Sequence, residues 1–581
     1  MIRRVATLLL TGMVWLPAAS AEDLIEVRIE GVEGALLENV RALLSLRRHA
    51  NSRELDTEMV ERLVQRARGE VATALRPFGY YQPAVETKLT RSGQSWLAIV
   101  RIDPGLPVIL VEQQVEITGT GRDEPFLRHA LARSPLRSGE RLSHPDYDQL
   151  KGELQRAAAA NGFLDAGFSR GELQVDPAAR EARAYITLET GDRYRFGPTA
   201  IEQDFLRPDF VRRYLRYREG DWYDAGALLR TQFALDDSQY FAAVEVQPEE
   251  RDRELKTAPI RVIATPNKRN LYTIAAGYAT DTRVRGTVGW ENRRLNSSGH
   301  RLRADIRGSS IEEVVRLTYA IPWTDPALEK LSFELRGLRE QRADVETTGG
   351  SFKVGLTEVL GKWQRVLSVT ADATSDEVNT PAGITRTSSK LIVPGISYAL
   401  LPPGFLGVNA VPRGFQVELI GSTTMLGSET DFTRLTVRDE RRFRLADRWN
   451  LQLRAELGAS AVGDFQELPA QYRFFAGGDR SVRGYGYEEL SPVDADGNRI
   501  GGRYLMAGSI ELQRDLPRNL VAAVFLDGGN AVNSFGDRLE YSAGIGLRYR
   551  LPFLSIGLDI AQSLSEPDRS PRLHLNFSPD L

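Results

Sequence analysis

The 581-residue chain contains no cysteine, which excludes disulfide bonds and metal sites built on thiolates. It has only five histidines, and none of them is spaced like a metal site. Its charges nearly balance, with a formal net charge of −3 at pH 7, so the composition gives no sign of nucleic-acid binding. The signatures of phosphate-binding loops and of serine hydrolases are missing as well. We therefore expect no enzymatic activity and no cofactor.

Long apolar runs are missing too, because nothing after residue 21 approaches the roughly 18 consecutive apolar residues of a membrane-spanning helix. In the first 21 residues, Arg3 and Arg4 precede an apolar stretch, and Ala19-Ser20-Ala21 then offers small residues for cleavage. This pattern predicts a secretory signal peptide over 1–21. A short amino-terminal anchor helix is the alternative.

Residues 22–266 carry a weak internal repeat with a period of roughly 80 residues. A predicted helix ends three times in a similar tetrapeptide, at 78–81, 161–164 and 238–241, and an alternating strand follows each time. Two glycine-centred junctions separate the copies. They predict three units, which cover 22–106, 107–191 and 192–266.

Within a unit the pattern is strand, helix, helix, strand, strand. In the first unit Met59, Leu63, Ala67 and Val71 form an apolar stripe that suits a helix packed on a sheet. This order resembles the POTRA (polypeptide-transport-associated) domain, while a generic α+β repeat without a role in transport remains the alternative. A POTRA-like sheet has an exposed edge, and such an edge can accept an extended peptide as an additional strand.

From about residue 267 the pattern changes to long strands with alternating apolar and polar residues. In 539–550, for example, six apolar side chains share one face and glycine, serine, glutamate and arginine occupy the other. A soluble sandwich also alternates, but the charged polar face and the strand length favour a transmembrane barrel with a polar lumen. Counting predicts about sixteen strands over 267–581, or about twenty residues for each strand with its connector, and an even number is favoured for such barrels. The predicted fold is thus multidomain, with three α+β POTRA-like repeats before a 16-stranded antiparallel transmembrane β-barrel.

One long connector, residues 461–501, interrupts the alternating strands. It contains the motif Val482-Arg483-Gly484-Tyr485. Two strands later comes Phe525-x-Asp527-x-Gly529, in which the alternation points Asp527 into the lumen.

This pair of motifs resembles the outer-membrane assembly and two-partner-secretion superfamily, whose barrels follow POTRA repeats. In that superfamily the sixth extracellular loop folds back into the barrel, and its arginine pairs with the strand aspartate. The resemblance implies the same pairing for Arg483 and Asp527, because a guanidinium in a confined lumen needs a carboxylate partner. An ordinary solvated loop arginine is the alternative. The implied loop–lumen lock consists of Val482, Arg483, Gly484, Tyr485, Phe525, Asp527 and Gly529.

Within the superfamily, three repeats and a sixteen-stranded barrel resemble most the outer-membrane subunits of translocation and assembly modules. The resemblance implies a barrel in the bacterial outer membrane, repeats in the periplasm, and insertion or secretion of β-barrel or autotransporter-type proteins. The implied partners are unfolded outer-membrane client proteins, the lipid bilayer and an inner-membrane-anchored protein that spans the periplasm. A two-partner-secretion-type transporter or a passive channel is the alternative.

The closing seam of the barrel is expected between a first strand over 271–279 and a last strand over 573–577. A short last strand makes few ladder hydrogen bonds, which suits a seam that opens toward lipid. A permanently closed barrel is the alternative. His574 is expected to face the lumen as a polar filler, and the seam residues are Leu271, Thr273, Leu573, Leu575 and Phe577.

Overall fold

The computed structural model describes residues 25–50, 56–92, 95–402, 407–408, 414–551 and 554–578. The predicted signal peptide, residues 1–21, lies outside the described residues. Among the described helices, none is both long enough and apolar enough to cross a membrane. The chain divides into two compact units, of which the second contains the barrel and most of the third small domain.

The first small domain is a three-stranded sheet with helices on one side. Its central strand β3 is parallel to β1 and antiparallel to β2. The long helix α3 begins after Asp56, whose carboxylate accepts a 2.7 Å hydrogen bond from the Met59 N–H. Val60 is fully buried at the start of α3, whereas the expected Met59 is only half-buried. The elements are β1 (Ile25–Glu30), α1 (Gly34–Leu43), α2 (Ser45–Arg48), α3 (Thr57–Leu75), β2 (Ala84–Ser92) and β3 (Ser95–Asp103).

The second and third small domains each have the predicted order strand, helix, helix, strand, strand, and their sheets repeat the strand order of the first. The second contains β4 (Ile109–Thr118), α4 (Pro125–Ala132), α5 (His144–Ala160), β5 (Gly167–Asp176) and β6 (Glu181–Glu189). The third contains β7 (Arg195–Glu202), α6 (Pro208–Arg212), α7 (Ala225–Asp237), β8 (Phe241–Pro248) and β9 (Thr257–Pro266).

The recurring tetrapeptide marks a left-handed residue at the end of each main helix. Gly79 has φ +85° and Gly162 has φ +94°, and the third copy places Gln239 at φ +61°. This conformation ends the helix and turns the chain into the following strand, and glycine adopts it without steric cost. The repeat in the sequence therefore reflects a backbone requirement.

The barrel consists of sixteen antiparallel strands that close on themselves, as predicted. Exposure alternates along the strands: on β22 Val524 and Leu526 are about half exposed on the outer face, whereas Asp527 is fully buried inside. The strands are β10 (Asn270–Ala279), β11 (Arg283–Asn292), β12 (Arg301–Gly308), β13 (Glu312–Pro322), β14 (Glu329–Arg342), β15 (Val345–Leu360), β16 (Trp363–Thr380), β17 (Gly383–Leu400), β18 (Gln416–Ser422), β19 (Phe432–Ala446), β20 (Trp449–Val462), β21 (Tyr504–Asp515), β22 (Leu520–Val532), β23 (Glu540–Arg550), β24 (Ser555–Ser563) and β25 (Arg572–Ser578).

The third small domain contacts the end of the barrel at which β10 begins. The Arg216 guanidinium donates two hydrogen bonds to Asp325, of 2.5 and 3.2 Å, in the turn between β13 and β14. Gly299, in the turn between β11 and β12, accepts a hydrogen bond from the Tyr240 hydroxyl. A Cβ at Gly299 would lie 2.4 Å from the Phe210 ring, so this contact requires glycine. The opposite end of the barrel carries the long connector between β20 and β21.

Candidate functional site

The connector between β20 and β21, residues 463–503, folds back into the barrel and is attached to its wall at several strands. The Tyr472 hydroxyl donates to Asp372 of β16, and the Ala470 N–H donates a 2.7 Å hydrogen bond to Asp376 of the same strand. These contacts fix the first part of the connector against one side of the lumen.

Glu488 fixes a later part of the connector to β14. Arg342, the last residue of β14, bonds to Glu488 at 3.1 Å and forms an ion pair with Glu340 at 2.8 Å. Burial raises the pKa of the Glu488 carboxyl to about 7, although the Arg342 charge acts in the opposite direction. Glu488 thus changes its charge near neutral pH.

Arg483, near the tip of the connector, is held by Asp527 of β22. Its Nε donates to Oδ2 and its Nη2 to Oδ1, both at 2.8 Å, and its backbone N–H donates to Oδ2 at 3.1 Å. The Arg483 side chain is 4% exposed and that of Asp527 is fully buried. Two parallel bonds between a guanidinium and a carboxylate fix orientation as well as distance. The structure therefore brings together the two residues that the motifs pair.

Further charged side chains surround this pair. Arg483 Nη1 also donates to Glu511 of β21 at 2.9 Å and to Asp559 of β24 at 3.3 Å. Arg548 of β23 reaches the same two carboxylates at 3.0 and 3.3 Å. Three carboxylates thus face two guanidinium groups, so Arg483 and Arg548 together partly neutralise a negative cluster to which β21 and β24 contribute besides β22.

The Phe525 ring packs against the Arg483 guanidinium. The Arg483 Cζ lies 3.2 Å from the centre of the Phe525 ring, a short cation–π contact. A Cβ at Gly544 of β23 would lie 2.3 Å from the same ring, so glycine there provides the space that Phe525 occupies. Phe525 and Asp527 share a face of β22 and act on Arg483 together.

Gly484 and Tyr485 bring the tip against β23 and β24. A Cβ at Gly484 would lie 2.6 Å from the Ser542 Cβ and 3.0 Å from the Ser563 backbone N, so no other residue fits without movement. The Tyr485 hydroxyl donates to Glu540 at 2.8 Å and accepts from the Ser563 hydroxyl at 2.9 Å. The tip is therefore bonded to the strands that precede the last one.

Val482 and Gly529 complete the predicted set. Val482 is fully buried in an apolar cluster with Phe474, Ala476, Leu490 and neighbouring residues. A Cβ at Gly529 of β22 would lie 2.5 Å from the Met506 carbonyl oxygen of β21. All seven residues of the predicted lock thus lie in or beside one buried region.

The closing seam between β10 and β25 is short. Among the described residues, β10 and β25 share two pairs, Tyr278 with Phe577 and Ala279 with Asn576, whereas β24 and β25 share seven. Beyond these pairs, the Thr280 N–H donates to the Leu575 carbonyl at 3.1 Å and the Leu575 N–H to the Thr280 hydroxyl at 2.7 Å.

Two of the expected seam residues do not reach β25. Leu271 and Thr273 pair with Glu291 and Gly289 of β11, near the start of β10. Because β25 is short and begins at the far end of the barrel, only the last residues of β10 and the turn after it meet β25. Leu573, Leu575 and Phe577 do lie on β25, and all three pair with β24.

The sequence alone does not predict that several further residues belong to this site. The alternation of β23 and β24 places Arg548 and Asp559 on the lumen face, but nothing in that alternation shows that they converge on Arg483. Glu511 is likewise a charged residue at a lumen-facing position of its strand, and this is the feature from which it could have been suspected. His574 does face the lumen, but it is 3% exposed and its Nε2 lies 2.6 Å from the Arg483 carbonyl oxygen, so it is part of the site.

Known family models match one segment near each end of the chain. The Omp85 superfamily domain matches residues 409–579, and domain 1 of the TamA POTRA domains matches residues 26–104. The outer membrane protein assembly factor BamA of Nitratidesulfovibrio vulgaris is 31% identical over 137 residues, which are 22% of this chain and 17% of that protein. The match thus spans about one sixth of that relative's length.

Solved structures resemble this fold at low sequence identity. BamA from Haemophilus ducreyi lacking POTRA domains 1–3 has a TM-score of 0.65 at 16% identity, with 81% of this chain and 99% of that chain covered. CdiB from Acinetobacter baumannii has a TM-score of 0.47 at 13% identity, with 81% and 90% covered. The first of these similarities establishes the fold.

Proposed function

We propose that this chain, which fits the Omp85 superfamily and carries a first POTRA domain of the TamA type, helps to insert or secrete outer-membrane proteins. Its sixteen-stranded barrel lies in the outer membrane, and its POTRA domains lie in the periplasm. At the level of the superfamily, the function is outer-membrane assembly or secretion. The finer statement, insertion of β-barrel or autotransporter-type clients, is our proposal, and it involves no chemical step.

The observation that carries the proposal is the buried contact between Arg483 and Asp527 beside a weak seam. The contact holds the connector inside the barrel, where its tip bonds to β22, β23 and β24. The Arg483 carbonyl oxygen also accepts a hydrogen bond from His574 of the last strand. The lock therefore supports the last strands of the barrel, next to the place at which the barrel closes.

Among the described residues, the seam is the junction of the barrel with the fewest residue pairs. Two residue pairs join β10 to β25, whereas β10 shares ten with β11. A backbone hydrogen bond contributes roughly 0.5–1.5 kcal/mol net in water, so a junction with few such bonds costs less to open than one with many. An opened seam exposes two unpaired strand edges, and a client strand can pair with such an edge.

The POTRA domains supply edges for docking on the periplasmic side. In the described part of the first domain, β1 and β2 each pair only with the central strand β3. We infer that these edges receive a TamB-like inner-membrane-anchored protein and extended segments of unfolded clients, by addition of a strand. The chain then connects a periplasm-spanning partner to the lipid bilayer.

The decisive experiment substitutes Arg483 by alanine in the full chain. If the connector serves assembly, the rate at which client proteins mature in the outer membrane falls several-fold. If the barrel is a passive channel or a two-partner-secretion-type transporter with the connector as its plug, conductance rises and client maturation stays normal. Arg480→Ala is the matched control, because Arg480 lies three residues away on the same connector and is exposed. Normal client maturation in Arg483→Ala contradicts the proposal.

A further inference from the structure

Three side chains from separate elements meet beside the barrel seam. Asp281 lies in the turn between β10 and β11, Asp479 lies in the connector, and His574 lies on β25. One ligand atom from each residue lies within 4.8 Å of the other two. We call these three residues the seam cluster. None of them belongs to the predicted lock; the proposed function uses only the bond from His574 to the Arg483 carbonyl and assigns no role to the two aspartates.

His574 is oriented as a metal ligand would be. Its Nε2 lies 2.6 Å from the Arg483 carbonyl oxygen, and a carbonyl oxygen only accepts, so Nε2 carries the hydrogen. The other ring nitrogen, Nδ1, contacts the Asp479 carboxylate. A histidine that binds a metal through one nitrogen commonly donates the other N–H to a backbone carbonyl. His574 is 3% exposed, so its orientation is fixed by its surroundings.

The two carboxylates of the seam cluster are not fully balanced by the hydrogen-bond donors and positive charges around them. Asp281 Oδ2 accepts a 2.6 Å hydrogen bond from the Asp479 N–H, but Asp281 Oδ1 is buried and has no hydrogen-bond donor. A proton on Nδ1 of His574 would satisfy Asp479 and leave Asp281 Oδ1 without a partner. A cation between the three side chains would satisfy all of them, which favours the cation over the proton.

A glycine in the connector allows Asp479 to lie close to Asp281. Gly478, the residue before Asp479, has φ +96°, and a Cβ there would lie 2.5 Å from Asp281 Oδ2. Any other residue at this position would push Asp281 and the connector apart. The glycine therefore allows the two carboxylates to lie side by side despite their like charge.

We propose that Asp281, Asp479 and His574 bind a divalent cation that prefers oxygen and nitrogen ligands, such as Zn²⁺ or Mn²⁺. Two carboxylates and one imidazole suit these ions, whereas Ca²⁺ takes six to eight oxygen ligands. Three protein ligands leave coordination positions for water, as in zinc sites that are not purely structural.

The bound cation would join both sides of the seam. Asp281 belongs to the hairpin of the first strand, His574 belongs to the last strand, and Asp479 attaches the connector to both. The cation would therefore hold the seam closed and would add to the few hydrogen bonds between β10 and β25. This consequence for opening rests on the proposed function, whereas cation binding itself does not.

Binding is tested on the full chain, purified in detergent and treated with a chelator. Titration with ZnCl₂ and with MnCl₂ in a calorimeter should show one ion per chain for at least one of the two metals. Asp281→Asn and His574→Gln should each weaken that binding at least tenfold. Asp494→Asn should leave it unchanged, because the Asp494 carboxylate bonds only within its own turn of the connector.

The absence of binding to the unsubstituted chain would overturn the proposal, and so would equal binding in the Asp281→Asn variant. A heat-dependent shift in electrophoretic mobility shows whether each variant has a folded barrel. If a variant does not fold, the titration of the unsubstituted chain still decides the outcome.

The effect on the seam is measured separately, without clients. Hydrogen exchange at the Thr280 and Leu575 amides should slow at least tenfold when the cation is added to the unsubstituted chain, and should not change in Asp281→Asn. Cation binding without slower exchange would overturn the role at the seam. A defect in client maturation in Arg483→Ala with no cation binding would leave the proposed function standing and would remove the cation site.

Discussion

Arg483 and Asp527 form a bidentate ion pair, with two 2.8 Å hydrogen bonds, between side chains that are almost completely buried. They are 44 residues apart in the chain, and the connector must enter the barrel for them to meet. Desolvating both charges is costly, and close bidentate geometry with further hydrogen bonds offsets that cost. The Ser509 hydroxyl supplies one such bond, because it donates to Asp527 at 2.6 Å. The pair therefore fixes one position of the connector among those that its length allows.

The first prediction concerns this pair. Arg483→Ala leaves Asp527, Glu511 and Asp559 without their shared guanidinium, and stranding a buried charge costs about 3–5 kcal/mol. Adding Asp527→Asn removes one of the stranded charges, so the double variant should be more stable than Arg483→Ala alone. Urea unfolding midpoints of the purified chains measure the difference. A double variant that is the less stable of the two would show that the two residues act independently.

The second prediction concerns the fit of the tip. Gly484→Ala places a Cβ 2.6 Å from that of Ser542, so the tip should move away from β23 and lose the bond from Tyr485 to Glu540. Protease cleavage of the connector should become faster. Gly463→Ala is the control, since nothing lies within 4 Å of a Cβ at this exposed position of the same connector. Adding Ser542→Gly to Gly484→Ala should restore part of the protection, and a failure to do so would place the strain elsewhere.

The third prediction concerns the register of the seam. Because the chain has no cysteine, a pair introduced at Tyr278 and Phe577, which lie opposite each other, forms the only disulfide. Oxidation should close it readily, and insertion of clients should then stop until a reductant is added. Insertion that continues in the sealed barrel would argue against opening at this seam.

A second cysteine pair, introduced at Thr273 and Leu575, is the control for the disulfide between positions 278 and 577. Leu575 lies beside Thr280, and Thr273 precedes Thr280 by seven residues, which is about 23 Å along a strand that rises about 3.3 Å per residue. A disulfide requires its two Cβ atoms to lie about 3.5–4.5 Å apart. Cysteines at Thr273 and Leu575 should therefore remain reduced under the same oxidation. Rapid disulfide formation between them would indicate a different strand register.

The fourth prediction concerns pH and Glu488. Burial raises the pKa of the Glu488 carboxyl in the folded chain to about 7, from an ordinary value of 4.5. Between pH 4.5 and pH 7, therefore, Glu488 is mostly protonated in the folded chain and mostly ionised in the unfolded chain. The stability contributed by neutral Glu488 is thus complete below about pH 4.5 and is lost as the pH rises to about 7. Glu488→Gln should remove this loss, since glutamine stays neutral.

Urea midpoints at pH 5 and pH 8 check the prediction for Glu488. The gain in stability from Glu488→Gln should be larger at pH 8, and of the order of a few kcal/mol, because one pKa unit corresponds to about 1.4 kcal/mol. Glu467→Gln, at an exposed position of the same connector, should change neither midpoint. An equal effect of Glu488→Gln at both pH values would contradict the raised pKa.

The fold class, and the face of a strand on which each side chain lies, follow from the amino-acid sequence alone. Strict alternation places one set of side chains toward lipid and the other toward the lumen, and this periodicity is local, so it can be read along a single strand. It assigned Asp527 and His574 to the lumen and predicted sixteen strands, as the structure has them. The recurring tetrapeptides likewise marked helix ends, because a left-handed residue is a local requirement.

Which lumen-facing residues contact one another depends on the three-dimensional packing of the barrel and connector. Alternation gives the face of a strand but not its height in the barrel, which depends on strand register, turn lengths and the stagger of the closed sheet. Glu511, Arg548 and Asp559 converge on Arg483 from three strands for this reason, and the seam joins Thr280, rather than Thr273, to Leu575. Asp281, Asp479 and His574 meet only because the connector enters the barrel and the first strand meets the last. Such contacts between distant parts of the chain leave no periodic trace in the sequence.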